Sequence, residues 1–235
     1  VPESIDKFLN ASKRKRSEKR RFIAIVIAFV IAVVIAVAIA INLTNKTDRE
    51  NEKKQDRLNQ EKKEARDRLS FGEKYFIETN NFKRKAVEHF KAGEYPEAID
   101  YLRFSLDLTP DDPETRIYLH NAMINNRKND IAEPLVIAVS VPIKTTQTVA
   151  QEILRGVAQA QVKWNEPLTA CLEKNIGCKE SGTPLQVMIA SDDNKSDIAR
   201  NIAHYLVNHD KNVLAVVGHN ASNASTAAIE RYQGQ

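Results

Sequence analysis

The chain changes its pattern of apolar and polar residues several times, and the longest apolar run comes first. Residues 22–41 read FIAIVIAFVIAVVIAVAIAI, twenty residues without a charge, glycine or proline. A helix rises about 1.5 Å per residue, so this run is long enough for the roughly 30 Å hydrocarbon layer of a membrane. We therefore predict one transmembrane helix over residues 22–41.

Two other interpretations of this run are weaker. A buried core helix of this length is rarely apolar on every face. A secretory signal peptide is the closer alternative, because Ala38-Ile39-Ala40 resembles a cleavage site, but the apolar part of such a peptide usually spans about 7–15 residues. The basic run KRKRSEKRR at residues 13–21 fits the positive-inside rule. We expect residues 1–21 to form a cytoplasmic basic tail, with the rest of the chain beyond the helix outside the cytoplasm.

Residues 42–70 are predicted to form a charged helical stalk. The stretch 47–69 has almost no apolar residues, lacks glycine and proline, and is rich in helix formers. Opposite charges stand in the favourable i,i+4 order at Glu50 and Lys54. No apolar heptad is sustained, which argues against a coiled coil. A disordered charged linker is the alternative.

Residues 71–130 are predicted to be a helical region. Between residues 86 and 123 apolar residues recur at helical spacing on two segments, with Gly93-Glu94-Tyr95 between them. The pattern resembles a tetratricopeptide repeat, whose period is about 34 residues. The positions that carry this resemblance are Ala86, Tyr95, Ala98, Leu102, Ser105 and Pro110. Because one repeat and a half cannot build a peptide groove, we expect a hairpin that packs on its neighbours, with a protein-binding module as the alternative.

From residue 131 to residue 235 short apolar strands alternate with helices. The predicted strands are 134–142, 184–191 and 212–218, and the helices between them are 146–165 and 196–209. Continuous apolar strands separated by helices predict a parallel sheet covered on both faces. The expected fold class is therefore a three-layer α/β domain, preceded by an α-helical hairpin and one transmembrane helix.

The loops that follow the three strands are the candidate site. In open parallel sheets, ligands bind beyond the carboxyl ends of the strands, which here are followed by loops 142–147, 191–195 and 218–222. In the third loop, Ser222 either offers its hydroxyl to a ligand or caps the next helix, whose N-terminus suits a carboxylate. Ser196 is expected to cap the preceding helix.

The order of these elements resembles a known family. VIAVSVP, ILRGVAQAQ, QVMIASDD and VLAVVGHNASNASTAA follow one another as in the type I periplasmic binding proteins, most closely the leucine/isoleucine/valine-binding group. The resemblance covers residues 134–235 and implies the N-terminal part of the first of two lobes, so we expect a piece of a longer protein. The first loop, PIKTTQT, lacks the Ser-Gly often seen in that family, which leaves the ligand's identity open.

The resemblance also implies site residues. In the family, the loop after the third strand holds the α-carboxylate or α-amino group of an amino acid. The matching positions here are Ser222, Ala221 and Asn220. His219, in the same loop, is a candidate for ligand contact or for a structural role.

Composition narrows the function classes further. The net charge of +4 is too mild for a general nucleic-acid binder. An oxidising exterior favours a disulfide between Cys171 and Cys178, and two reduced thiols are the alternative. Glu152, Asp192, Asp193 and His219 come from separate loops or helices and form no convincing catalytic or metal-binding set, so we expect neither enzyme activity nor a metal or cofactor.

These patterns together predict a bacterial membrane-anchored protein that binds an amino acid or similar small molecule outside the cytoplasm, as a receptor or a transport-associated binding protein. The alternative is a tetratricopeptide-type scaffold that binds a protein partner and has no small-molecule ligand.

Overall fold

The structure of the protein is a computed structural model that describes residues 3–78, 80–173, 178, 182–210 and 212–233. Within residues 3–40 the described side chains are those of Lys19, Arg21, Phe22, Val26, Phe29, Ile35, Val37 and Ile39, and the side chains of 172 and 173 are also outside the description. The chain divides into two compact units, residues 1–59 and 60–235.

One helix, α1, runs from Glu3 to Asp67, so residues 60–67 of this helix belong by sequence to the second unit. The predicted stalk is helical as far as Asp67. A search of the described residues finds no helix with the length and apolarity of a membrane span. Most side chains of the predicted span 22–41 lie outside the described residues.

Three helices follow in the second unit: α2 (Asn81–Ala92), α3 (Tyr95–Leu108) and α4 (Pro113–Asn126). The side chain of Asn80 caps α2 by accepting from the N–H groups of Phe82 and Lys83. Gly93 ends α2 with a left-handed φ of 79°, which glycine adopts without steric cost. The turn therefore lies where the sequence predicts it.

The sheet has four strands: β1 (Leu69–Ser70), β2 (Leu135–Val141), β3 (Leu185–Ser191) and β4 (Val213–Val217). Their spatial order is β1-β3-β2-β4. β2 is parallel to both β3 and β4, and β1 is antiparallel to β3. The helices that alternate with these strands are α5 (Gln147–Trp164), α6 (Glu166–Glu173), α7 (Ser196–His209) and α8 (Ser222–Tyr232).

Alternate residues of the central strands enter two separate cores. Val139 of β2 and Ile189 of β3 pack with α2, α3, α4 and α5. Ala138 and Met188 face the other way and pack with α7. The α/β layering is therefore as predicted, and the helical region before residue 131 shares a core with the sheet.

Asn121 of α4 joins the helical region to the edge of β3. Its Nδ2 donates to the carbonyl of Val187 at 2.7 Å, and its Oδ1 accepts from the N–H of Val187 at 3.1 Å. Nδ2 also donates to the carbonyl of Phe71 at 2.7 Å. β1 has only two residues and does not pair with Val187. The side-chain amide of Asn121 therefore satisfies both the N–H and the carbonyl of Val187.

A buried ion-pair cluster holds the segment before α2. The Nζ of Lys83 lies 2.6 Å from Glu114 Oε2 and 2.9 Å from Asp112 Oδ2, and the side chains of Lys83 and Glu114 are fully buried. The Glu114 carboxylate also accepts from the N–H groups of Phe76 and Ile77, at 2.7 and 3.1 Å. The cluster therefore fixes backbone that has no helix or strand of its own.

Candidate functional site

The loops after β2, β3 and β4 meet at the carboxyl edge of the sheet, as predicted. The N–H of Lys144 in the first loop donates to Asp193 Oδ1 in the second, at 3.1 Å. The side-chain amide of Asn223, at the start of α8, donates to the carbonyl of Asn194 at 3.2 Å. The chain passes from β2 to β3 on one side and then to β4 on the other, so the edge lies at a switch point, where ligands bind in open α/β sheets.

A buried pair, Asp192 and His219, joins the second loop to the third. His219 Nδ1 lies 2.6 Å from Asp192 Oδ2, and the two side chains are 2% and 0% exposed. Burial raises the pKa of Asp192, but hydrogen bonds from His219, the Asn194 N–H and the Ser140 hydroxyl outweigh it and hold this pKa below its ordinary value. Because the ionised carboxylate only accepts, Nδ1 carries the proton.

The other ring nitrogen of His219 faces Tyr232 of α8. Nε2 lies 3.3 Å from the Tyr232 hydroxyl. Burial, with a smaller contribution from the charge of Asp192, raises the pKa of Tyr232 to about 12, so the phenol stays protonated. Both ring nitrogens of His219 are therefore engaged inside the protein, and this geometry supports the structural role of its side chain over ligand contact.

Asp193 is the second acidic residue that joins several elements at this edge of the sheet. Its carboxylate accepts from the guanidinium of Arg68, from the Ser191 hydroxyl and from the Lys144 N–H. Burial raises the pKa of Asp193, and these donors together lower it below its ordinary value. Asp193 and Asn194 have φ angles of 54° and 57°, the left-handed region that non-glycine residues seldom adopt.

Gly218 is required where β4 leaves the sheet. Its φ is 114°, and a Cβ built on it would collide with the carbonyl oxygen of Ser140 in β2. The close approach of the two backbones positions His219 beside Asp192.

Replacing Gly218 with alanine is therefore expected to lower the free energy of unfolding by about 1–3 kcal/mol, the usual cost of a strained backbone position. Gly156 on α5 is the matched control, because its φ is not positive and no atom lies within 4 Å of an added Cβ. Gly156→Ala should raise stability by about 0.5–1 kcal/mol. Denaturant unfolding of both variants checks the pair, and equal effects would contradict the steric role of Gly218.

The predicted ligand residues of the third loop stand at the start of α8. Ala221 is the N-cap residue, and no side chain caps the helix. Ser222 is the first helical residue and is exposed. In the described part of the chain its hydroxyl has no hydrogen-bond partner, so the alternative role of Ser222 as a helix cap is wrong. Asn220 is also exposed, with a 3.5 Å contact to Asn194 Oδ1.

The predicted capping role of Ser196 is wrong too. Lys195 is the N-cap residue of α7, and the Ser196 hydroxyl donates to the carbonyl of Asn223 at 3.2 Å. α5, which begins after Thr146, likewise has no side-chain cap. In the helical region, Asn80 and Asp112 cap α2 and α4, whereas α3 has no side-chain cap.

The electrostatics of the edge favour an anionic group. Three helices begin there with N–H groups that no described side chain caps, and such N-termini carry partial positive charge. Lys144 and Lys195 are exposed in two of the loops. The carboxylates of Asp192 and Asp193 are each paired internally.

Cys171 and Cys178 form a disulfide in the structure and are 6% and 1% exposed. They pack against Ile124 of α4 and Leu168 of α6, so the disulfide joins position 178 to α6 within this apolar cluster. Among the residues with described side chains, no group of three or more His, Cys, Asp or Glu could hold a metal ion.

Sequence reasoning missed three residues that shape this site. Ser140 is the only polar residue of β2, and a lone hydroxyl near the carboxyl end of a buried strand is a signal that could have found it. Arg68 is one of many charged residues in the stalk, and Tyr232 lies ten residues after the start of α8. Neither position can be recognised from the sequence as part of the site.

The site is thus a polar edge of the sheet, where Asp192 and Asp193 are paired within the protein and three helices begin without a side-chain cap. No family model, curated protein or solved structure matches the chain.

Proposed function

We propose that this chain is a membrane-anchored, extracytoplasmic ligand-binding protein for branched-chain or related amino acids, with a role as a sensor or in transport. The observation that carries the proposal is the convergence of three loops and three uncapped helix N-termini at the carboxyl edge of the sheet. The resemblance to the first lobe of type I periplasmic binding proteins supports the same assignment.

The proposed mode of binding follows from the donors at that edge. The α-carboxylate of the ligand accepts from backbone N–H groups at the start of α8 and from the exposed hydroxyl of Ser222. Asn220 and Ala221 supply the neighbouring backbone. Asp192 and His219 are bound to each other rather than aimed at solvent, which favours binding over catalysis.

The proposed anchor is the apolar run at residues 22–41. The basic residues before it put the N-terminus in the cytoplasm by the positive-inside rule. The described apolar side chains of this run, among them Phe22 at 69% and Phe29 at 70%, are exposed, which suits contact with lipid. The proposed location is therefore the bacterial inner or plasma membrane.

The test is calorimetric titration of the full chain with leucine, isoleucine and valine in turn, using the wild type and Ser222→Ala. Loss of a hydrogen bond to a charged group costs about 1.5–3 kcal/mol, so affinity should fall roughly tenfold to a hundredfold. The melting temperature without ligand should not change, because Ser222 is not the cap residue.

Thr226→Ala is the matched control, since Thr226 is exposed one turn further along α8 and its hydroxyl donates to the carbonyl of Ser222. This variant should bind as the wild type does. Equal affinity in wild type and Ser222→Ala would remove Ser222 from the site, and no heat with any of the three amino acids would overturn the proposed ligand class.

A tetratricopeptide-type scaffold is the second candidate, and one observation favours it. Phe104 and Leu108 of α3 are 51% and 62% exposed, and the Phe104 ring lies 5.6 Å from that of Phe82 on α2. Apolar surface of this kind often marks protein contacts. Loss of a partner on Phe104→Ser, together with no amino-acid binding, would favour the scaffold.

A further inference from the structure

The end of α1 is tied directly to the second loop of the candidate site. Arg68, the residue after α1, donates from Nη1 to Asp193 Oδ2 at 2.7 Å and to the carbonyl of Ser191 at 3.0 Å. Its own carbonyl accepts from the Ser191 N–H at 3.0 Å. Side chain and backbone of Arg68 therefore hold the same short stretch of the loop.

Asp193 extends this connection to the first loop. Oδ1, the oxygen that does not face Arg68, accepts from the N–H of Lys144 at 3.1 Å. The carbonyl of Asp193 accepts from the Thr145 hydroxyl at 3.1 Å. The side chain of Asp193 is only 4% exposed and that of Arg68 is 27% exposed, so solvent screens this ion pair less than one on the surface.

The backbone of the second loop needs these bonds. The left-handed conformations of Asp193 and Asn194 persist only where the surroundings over-determine them. Arg68, Lys144 and Thr145 supply such contacts at Asp193. The adjacent Asp192 holds the third loop through His219. Hydrogen bonds therefore link Arg68 to the first two loops through Asp193, and the adjacent Asp192 is bonded to the third loop.

We propose that Arg68 is a positioning residue of the ligand-binding edge, and that its ion pair with Asp193 couples the loops to the last turns of α1. Ordering the loops then orders the end of α1, and loosening one loosens the other, because such coupling is reciprocal. The inference rests on the proposed function in that it takes this edge as the ligand site.

The test is hydrogen exchange of the full chain without ligand. Arg68→Met removes the guanidinium at the α1 end of the pair. Asp193→Asn removes the charge at the loop end, and asparagine tolerates the left-handed conformation. Arg84→Met is the matched control, because Arg84 makes an exposed ion pair with Glu78 at 3.1 Å on the hairpin.

We expect Arg68→Met to speed exchange in residues 142–146 about tenfold, as loss of roughly 1.4 kcal/mol would do. Asp193→Asn should speed exchange in residues 60–67 to a similar degree. The double variant should match the faster single variant, since both remove one interaction. Arg84→Met should change none of these segments.

Three results would overturn the inference. The first is that Arg68→Met changes exchange in residues 60–70 alone. The second is that the faster exchange extends equally to the hairpin at 81–108. The third is that the effects of the two single variants add in the double variant. A final arm adds saturating leucine, which should slow exchange at 60–67 in the wild type but not in Arg68→Met. Coupled exchange without leucine binding would support the inference and overturn the proposed ligand class.

Discussion

Replacing Lys83 with methionine is expected to lower the free energy of unfolding of the second unit by about 3–5 kcal/mol, as removal of one member of a buried ion pair does. The ammonium group is fully buried between Glu114 and Asp112. Without it, the Glu114 carboxylate stays buried with no cation. Burial raises the pKa of Asp112, but the charge and hydrogen bond of Lys83, together with hydrogen bonds from Thr115, outweigh this effect and hold the pKa below its ordinary value.

Denaturant unfolding measures this effect, with Lys85→Met as the matched control. Lys85 lies two residues further along α2, is exposed, and stands 5.4 Å from the centre of the Tyr101 ring. Its replacement should change stability by no more than about 0.5–1 kcal/mol. A loss below about 1 kcal/mol for Lys83→Met would show that the cluster does not fix the segment before α2.

The second large effect is a loss of stability in mild acid caused by His120. Burial, and to a smaller degree the charge of Arg116, lowers the pKa of this α4 histidine from 6.5 to about 4. His120 therefore becomes protonated near pH 6.5 in the unfolded chain but only near pH 4 in the folded chain. Above pH 6.5 His120 is neutral in both states and does not reduce the free energy of unfolding. As the pH drops from 6.5 to 4, this free energy falls by about 3 kcal/mol.

Unfolding free energies of the wild type and His120→Asn, measured from pH 7 to pH 4, check this value. Asparagine does not titrate, so the variant should lose about 3 kcal/mol less than the wild type across this range. His204→Asn, at an exposed position of α7, should keep the wild-type slope. Parallel curves for the wild type and His120→Asn would contradict the prediction.

The sequence pattern predicted the elements that rely on local information. The three long strands agree with the structure to within about one residue at each end, because continuous apolar runs mark buried parallel strands. The turn at Gly93 was also predicted from local sequence, because the glycine lies between two segments with helical spacing. β1 was missed, since two residues cannot show a strand period, and its pairing depends on β3 more than a hundred positions later.

The site was predicted at the level of loops but not of side chains. Strand order alone brings the three loops together. Ser222 and Ser196 were each one position away from the cap residues, an error within the usual uncertainty of helix ends. Asp192 and Asp193 looked like ordinary acidic residues at a strand end. Their roles depend on His219 and Arg68, whose approach is a tertiary effect.

Lys83 illustrates the same limit in the helical region. In the run NFKRKAVEHF it is one of three basic residues within three positions. The chain buries this one because Asp112 and Glu114 lie opposite it on α4 and its N-cap. Asn121 is similar: a polar residue in a buried helix face gains its role only when β3 is present.

The pairing of β3 with earlier parts of the chain has a consequence for the order of events during synthesis. Asp193 lies 125 residues after Arg68, and Val187 lies 66 residues after Asn121. Helices α2, α3 and α4 can form from contacts made within their own region, but β1 has no partner until residue 191 has left the ribosome. At about 5–20 residues per second this interval is on the order of ten seconds. Throughout it, Leu69 lacks its partner on β3, and Asn121, once made, lacks its bonds to Val187, so this is the period in which the nascent chain is most open to chaperones and to association with its neighbours.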